Sequence, residues 1–126
     1  MIKDQAFTVS VVGETSGETF RGEFRAFKFL SHRQQLMLDQ KRREILGTNP
    51  ESASQRAKNQ AEIFAQLFVR LSDAPKWWSE SGYGMDLVDD NIMVEVFNAT
   101  MKVEEEAVSD MKKKAELARE QLKKDE

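Results

Sequence analysis

The residues with most capacity for chemistry are acidic. Asp86, Asp89 and Asp90 place three carboxylates within five positions, a density that invites a divalent cation. The spacing, however, lacks the alternating Asp/Asn pattern, central Gly and distant Glu of a Ca²⁺ loop. Capping of a following helix by Asp89 or Asp90 accounts for these residues with less. Glu104, Glu105 and Glu106 are consecutive, so on a helix they fan apart and read as a solvated face; a catalytic carboxylate pair has to converge in a cleft. His32 is the single histidine, which excludes a multi-His metal site and leaves one imidazole, placed at the exposed first turn of a helix. With no cysteine there is no disulfide, thiolate ligand or sulfur nucleophile. No Gly-rich phosphate loop, nucleophile elbow or zincin motif is present. These residues lead to the expectation of a non-enzymatic protein with no catalytic residue, no metal and no cofactor.

Two other features suit contact with proteins. Trp77-Trp78 is an aromatic pair of a kind enriched at interfaces, where each ring buries about 150–250 Å². Adjacent residues on a helix point about 100° apart, so both rings close the core, or one packs inward while the other meets a partner. Near the C-terminus Val108, Met111, Ala115, Ala118 and Leu122 form a thin apolar stripe at heptad-like spacing among dense Lys and Glu. That stripe docks on a partner, pairs with copies of itself as a homo-oligomer, or is a solvated and partly frayed tail. With Ala at two of its five positions it is too thin for a solitary coiled coil. The expected partner-binding residues are Trp77, Trp78, Val108, Met111, Ala115 and Leu122. Lys41, Arg42 and Arg43 form a local basic patch, read as a solvated helix face ahead of a docking site for an acidic surface.

Bulk properties narrow the partner. A length of 126 residues suits one core, read as a compact α+β domain over 1–101 and a charged helical extension over 102–126. Charged residues at 33% against 40% hydrophobic, with mean hydropathy of −0.61, fit a compact core with a polar arm. A net charge of −3 makes nucleic acid an improbable partner, because binding to phosphates requires a basic surface. No stretch approaches the roughly 20 apolar residues of a membrane span, and the first residues lack a secretory apolar run; a cytoplasmic protein is expected.

The elements that must position these residues follow from periodicity. Phe7, Val9 and Val11 alternate with polar residues as a strand, Glu14 to Glu18 has turn chemistry, and Phe20 to Phe29 forms a second strand. Its apolar phase slips from Phe20 and Phe24 to Phe27 and Phe29, predicting a bulge near Arg25-Ala26. Ser31 and Gln34 spell a capping box for a helix from His32 to Leu46, closed by Gly47. Asn49-Pro50-Glu51 predicts the start of a second helix reaching Leu71, with Ala57, Ala61, Ile63, Phe64, Leu67, Phe68 and Leu71 as its core stripe. A short helix over Lys76-Trp77-Trp78 and an irregular crossing through Ser81-Gly82-Tyr83-Gly84 precede a last helix. That helix begins after Asp89 or Asp90, is about 50 Å long and has Ile92, Val96 and Phe97 in the core.

Four stretches together resemble small morphogenesis proteins of tailed bacteriophages, in particular tail assembly chaperones. They are Gly17-Glu18-Thr19-Phe20-Arg21-Gly22-Glu23-Phe24, Arg42-Arg43-Glu44-Ile45-Leu46-Gly47, Ala74-Pro75-Lys76-Trp77-Trp78 and Gly84-Met85-Asp86-Leu87-Val88-Asp89-Asp90-Asn91. The resemblance implies a protein of the host cytoplasm that keeps the tape-measure protein soluble while tail-tube subunits polymerise around it, without a cofactor. The charged helix after Lys102 departs from that picture. It suits equally a virion component that clamps neighbouring subunits, such as a capsid decoration, head-tail connector or tail structural protein.

Overall fold

The computed structural model describes residues 3–47 and 49–125. Met1, Ile2 and Glu126, which belong to the expected domain and extension, lie outside the described residues. The order is β1 (Asp4–Val12), β2 (Thr19–Phe27), α1 (His32–Leu46), a 3-10 turn (Pro50–Ser52), α2 (Gln55–Arg70), β3 (Leu71–Asp73), α3 (Lys76–Glu80) and α4 (Asp90–Lys124). It is an α+β fold: an antiparallel sheet of order β1-β2-β3 lies against the helices, and α4 projects beyond them.

The alternation in β1 and β2 does what a pleated strand requires. Phe7 pairs with Phe24, Val9 with Gly22 and Val11 with Phe20, so one face of the hairpin meets the helices. The rings of Phe7 and Phe24 stack at 5.4 Å. At Arg25-Ala26 the register does shift, but in the pairing with β3; the β1-β2 ladder passes through without interruption. Phe29 lies beyond the strand instead of continuing it on the opposite face. β3 leaves no signal in the sequence, since three residues carry no readable period.

Local capping chemistry sets α1. Ser31 accepts the Gln34 N–H, the Gln34 side chain accepts the Ser31 N–H, and the Gly47 N–H returns to the Arg43 carbonyl. The start predicted for α2 is corrected. Asn49-Pro50-Glu51 closes only a 3-10 turn, with the Ser52 N–H on the Asn49 carbonyl, and the α-helix begins at Gln55, where the Ser54 hydroxyl accepts the Ala57 N–H at 3.1 Å. Its end falls where expected, at Arg70 with Leu71 as the cap, and Leu71 then leaves the helix to pair with Ala26.

α2 stands between two clusters. Leu67 packs with Val9, Phe24, Trp78, Ile92 and Val96, while Ala65 and Val69 pack with Leu38 of α1. Phe68 departs from the predicted core stripe: it is 39% exposed, its ring lying edge-on to Tyr83 at 5.3 Å beneath the Lys41 ammonium.

On α4 the buried residues Ile92, Val96, Thr100, Val103 and Ala107 recur at three and four positions, the spacing of one helix face. The Thr100 hydroxyl donates to the Val96 carbonyl at 2.7 Å, so its burial leaves no polar atom unpaired. Burial therefore continues past residue 101, the expected domain edge, as far as Ala107. Glu104 is a correction as well. It is half-buried and pairs with the buried Arg70 guanidinium, whereas Glu105 and Glu106 are solvated. No helix among the described residues is long and apolar enough to cross a membrane.

Candidate protein-contact surface on the projecting helix

The tryptophans belong to the core. Trp78 is 2% exposed, with its ring edge-on to Phe24 at 5.7 Å and to Trp77 at 6.1 Å. Trp77 is half-buried against Phe20 and Phe24, and its indole N–H donates to the Arg21 carbonyl at 2.9 Å. Trp78 is thus the inward ring of the pair, and Trp77 has its polar edge already engaged. α3 can deliver both rings because Pro75 and Trp77 lie directly over Gly22, where a Cβ would come within 2.6 Å of Pro75.

The three aspartates separate by role. Asp89 is buried and occupies the N-cap position of α4, as the capping reading placed it, yet its side chain makes no cap hydrogen bond there. It reaches instead across to the β1-β2 turn, accepting the Thr15 and Ser16 N–H groups at 2.7 and 2.8 Å and the Ser16 hydroxyl at 2.7 Å. Asn91 extends this clamp, accepting the Glu14 N–H and donating to the Val12 carbonyl. Gly13 makes room for it, since a Cβ there would fall 2.4 Å from the Asp89 carboxyl. Asp86 and Asp90 are exposed, and no group of three metal-ligating side chains occurs among the described residues.

Hydrogen bonds from the Ser16 side chain, and then from the Ser16 and Thr15 backbone, hold the Asp89 carboxyl below the usual carboxylate range. A folded-state pKa lowered in this way contributes stability above the unfolded value of about 3.9, and that contribution is lost as pH falls through the folded pKa. Asp89→Asn is therefore expected to lower the urea midpoint at neutral pH, with the gap to the parent chain closing on acidification. A pH-independent gap would refute the ionic role. Both proteins keep a residual acid slope from Asp4, lowered by its hydrogen bond from Arg25, and from Glu62, lowered by Arg42.

The basic run is internally neutralised. Lys41 pairs with Glu44, Arg42 with Glu62 and Asp39, and Arg43 with Asp39. Arg42 also donates to the second Glu62 oxygen at 2.9 Å, a forked geometry that ties α1 to α2. His32 is exposed at the start of α1.

The rest of the contact candidates lie together on α4. Every residue from 109 to 125 is exposed, Met111 at 51% and Leu122 at 67%, while Val108 is half-buried where the helix leaves the core. Trp78 packs at the level of Ile92 and Val96, so Met111 is at least about 22 Å further along the helix axis. The tryptophans and the stripe therefore do not make one surface.

What the stripe joins instead is a groove of about 780 Å³ between α4 and the β2-α1 link, lined among others by Phe27, Phe29, Leu30, Ala107 and Met111. Phe29 is 48% exposed there. Lys3, Lys28 and Lys114 stand around the groove against a single carboxylate, Asp110. The residue pattern hides this neighbourhood, because Phe29 keeps the apolar phase of Phe27 as a strand residue would. The only signal was local, an aromatic and Leu30 beside a helix cap.

The fold and this surface define an α+β protein with a projecting helical arm. Comparisons with protein-family models, with characterised proteins and with solved structures return no match to this chain.

Proposed function

We propose that this chain is a non-enzymatic binding protein that grips another protein with α4. The observation that supports it most is the arm itself: residues 109–124 are helical yet exposed on all sides, and still carry Met111, Ala115, Ala118 and Leu122 in one strip. A helical segment without tertiary packing has only local hydrogen bonds and ion pairs to hold it, and an apolar strip on it gains from a partner's surface.

Read with the phage-like stretches, the reading becomes a tail assembly chaperone whose client is the tape-measure protein, acting in the host cytoplasm. A second reading, a permanent virion component gripping tail or capsid subunits, is favoured by the continuity of α4 from core to tip across 35 residues. Co-expression and particle composition separate them. For the chaperone, the tape-measure protein stays soluble only when the chain is co-expressed, and purified particles lack the chain by mass spectrometry. Stoichiometric presence in mature particles would replace the first reading with the second, and neither result would remove both.

A further inference from the structure

We propose that the partner segment on α4 is an amphipathic helix with acidic flanks, and not a second copy of this chain. The proposal deepens the binding role above and rests on it. In heptad terms Val108, Ala115 and Leu122 occupy a, and Met111 and Ala118 occupy d. The positions beside that seam, from Val108 to Leu122, include Lys112 and Arg119 at e with Lys114 and Gln121 at g. The acids of the same stretch, Asp110, Glu116 and Glu120, fall at c, b and f, away from the seam. Lys112, Lys114 and Arg119 are exposed and have no ion pair among the described residues, although Lys102-Glu106 on the same helix does form one.

Charges at e and g choose the partner of a helical seam. In a parallel pairing of two copies Lys114 would face Arg119, and in an antiparallel pairing Lys112 would face Arg119; both set cation against cation. A helix with Glu or Asp at these positions turns every such contact favourable. The seam then runs at Met111 and Lys114 into the groove over Phe29 and Leu30, where Lys3 and Lys28 continue the positive border. The arm is thus locally cationic, with six Lys or Arg against four acids over 109–125, on a chain of net charge −3. Small Ala115 and Ala118 let the incoming helix approach closely, so its own large apolar residues would supply the buried area.

The test uses the full chain and two labelled three-heptad peptides with Leu at a and d, one with Glu and one with Lys at e and g. Fluorescence anisotropy is expected to show the Glu peptide binding at least about tenfold more tightly, with affinity falling as salt rises. In the Lys112→Glu, Lys114→Glu, Arg119→Glu variant the preference should reverse. These substitutions lie on the solvated arm, and an unchanged unfolding midpoint verifies that the fold is intact. Equal binding of both peptides, or of neither, overturns the proposal. So does a dimer in sedimentation that Met111→Asp and Leu122→Asp abolish, since the seam would then be self-covered. Client solubility retained without Glu-peptide binding sinks this inference and leaves the chaperone reading standing; Glu-peptide binding without client solubility does the reverse.

Discussion

Trp78→Ala is expected to lower the free energy of unfolding by about 3–5 kcal/mol, the usual cost of removing a large aromatic from a packed core. Trp78 shares the main cluster with three other elements: its ring meets Phe24 of β2, and it packs in one cluster with Leu67 of α2 and with Ile92 and Val96 of α4. Truncation would leave a void that these neighbours, held on separate elements, can only partly close. A small domain has only about 5–15 kcal/mol of net stability, so the loss would be plain in a denaturant titration. Trp77 remains as the sole tryptophan and reports the same transition by its fluorescence excited selectively over that of Tyr83, since the chain has two tryptophans and one tyrosine. A loss below about 1 kcal/mol would show that Trp78 is not a core residue. Trp77→Ala should cost less, because that ring is only half-buried.

Gly84→Ala is expected to be comparably damaging, at about 2–6 kcal/mol, from two causes that add. The backbone there has φ of 87°, a region in which a non-Gly residue stores about 1–3 kcal/mol. A Cβ would also lie 2.3 Å from the Trp78 ring, over-packing a core for about 1–3 kcal/mol more. Gly17→Ala isolates the first cause: its φ is 74°, but nothing lies within 4 Å of its Cβ position, so only the backbone term should appear. The second cause can be isolated by a cycle in which Gly84→Ala is placed on Trp78→Leu. The smaller side chain gives room, and the two losses should sum to more than the double variant shows. Strict additivity would mean that the ring and the glycine are energetically independent.

These two residues illustrate how much of the fold and site was legible. Ser81-Gly82-Tyr83-Gly84 was readable as an irregular crossing, and the structure has positive φ at Gly82, Tyr83 and Gly84 in succession. That Gly84 is the floor for Trp78 was not readable, because it depends on how α3 turns relative to the loop. Likewise the Trp pair was legible as informative, but which ring points inward was not. Asp89 shows the same boundary: its place before α4 fitted a cap, while its carboxyl serves a turn more than 70 positions earlier in the chain.

The sequence by itself determined the features whose causes lie within a few residues. Its Ser31-Gln34 capping box set α1, the alternation from Phe7 to Val11 and the turn after it set the hairpin, and the apolar seam on α4 was visible through Leu122. Only the tertiary structure decided that Leu71 leaves α2 for the sheet, that Phe68 turns outward, and that burial on α4 ends at Ala107. It also decided that Met111 meets a groove floored by Phe29. Caps, turns and periodicity act through hydrogen bonds and side-chain spacing inside one segment, so they can be read locally. Burial and the choice among competing partners depend on which distant segments come together, and that is a property of the packed chain.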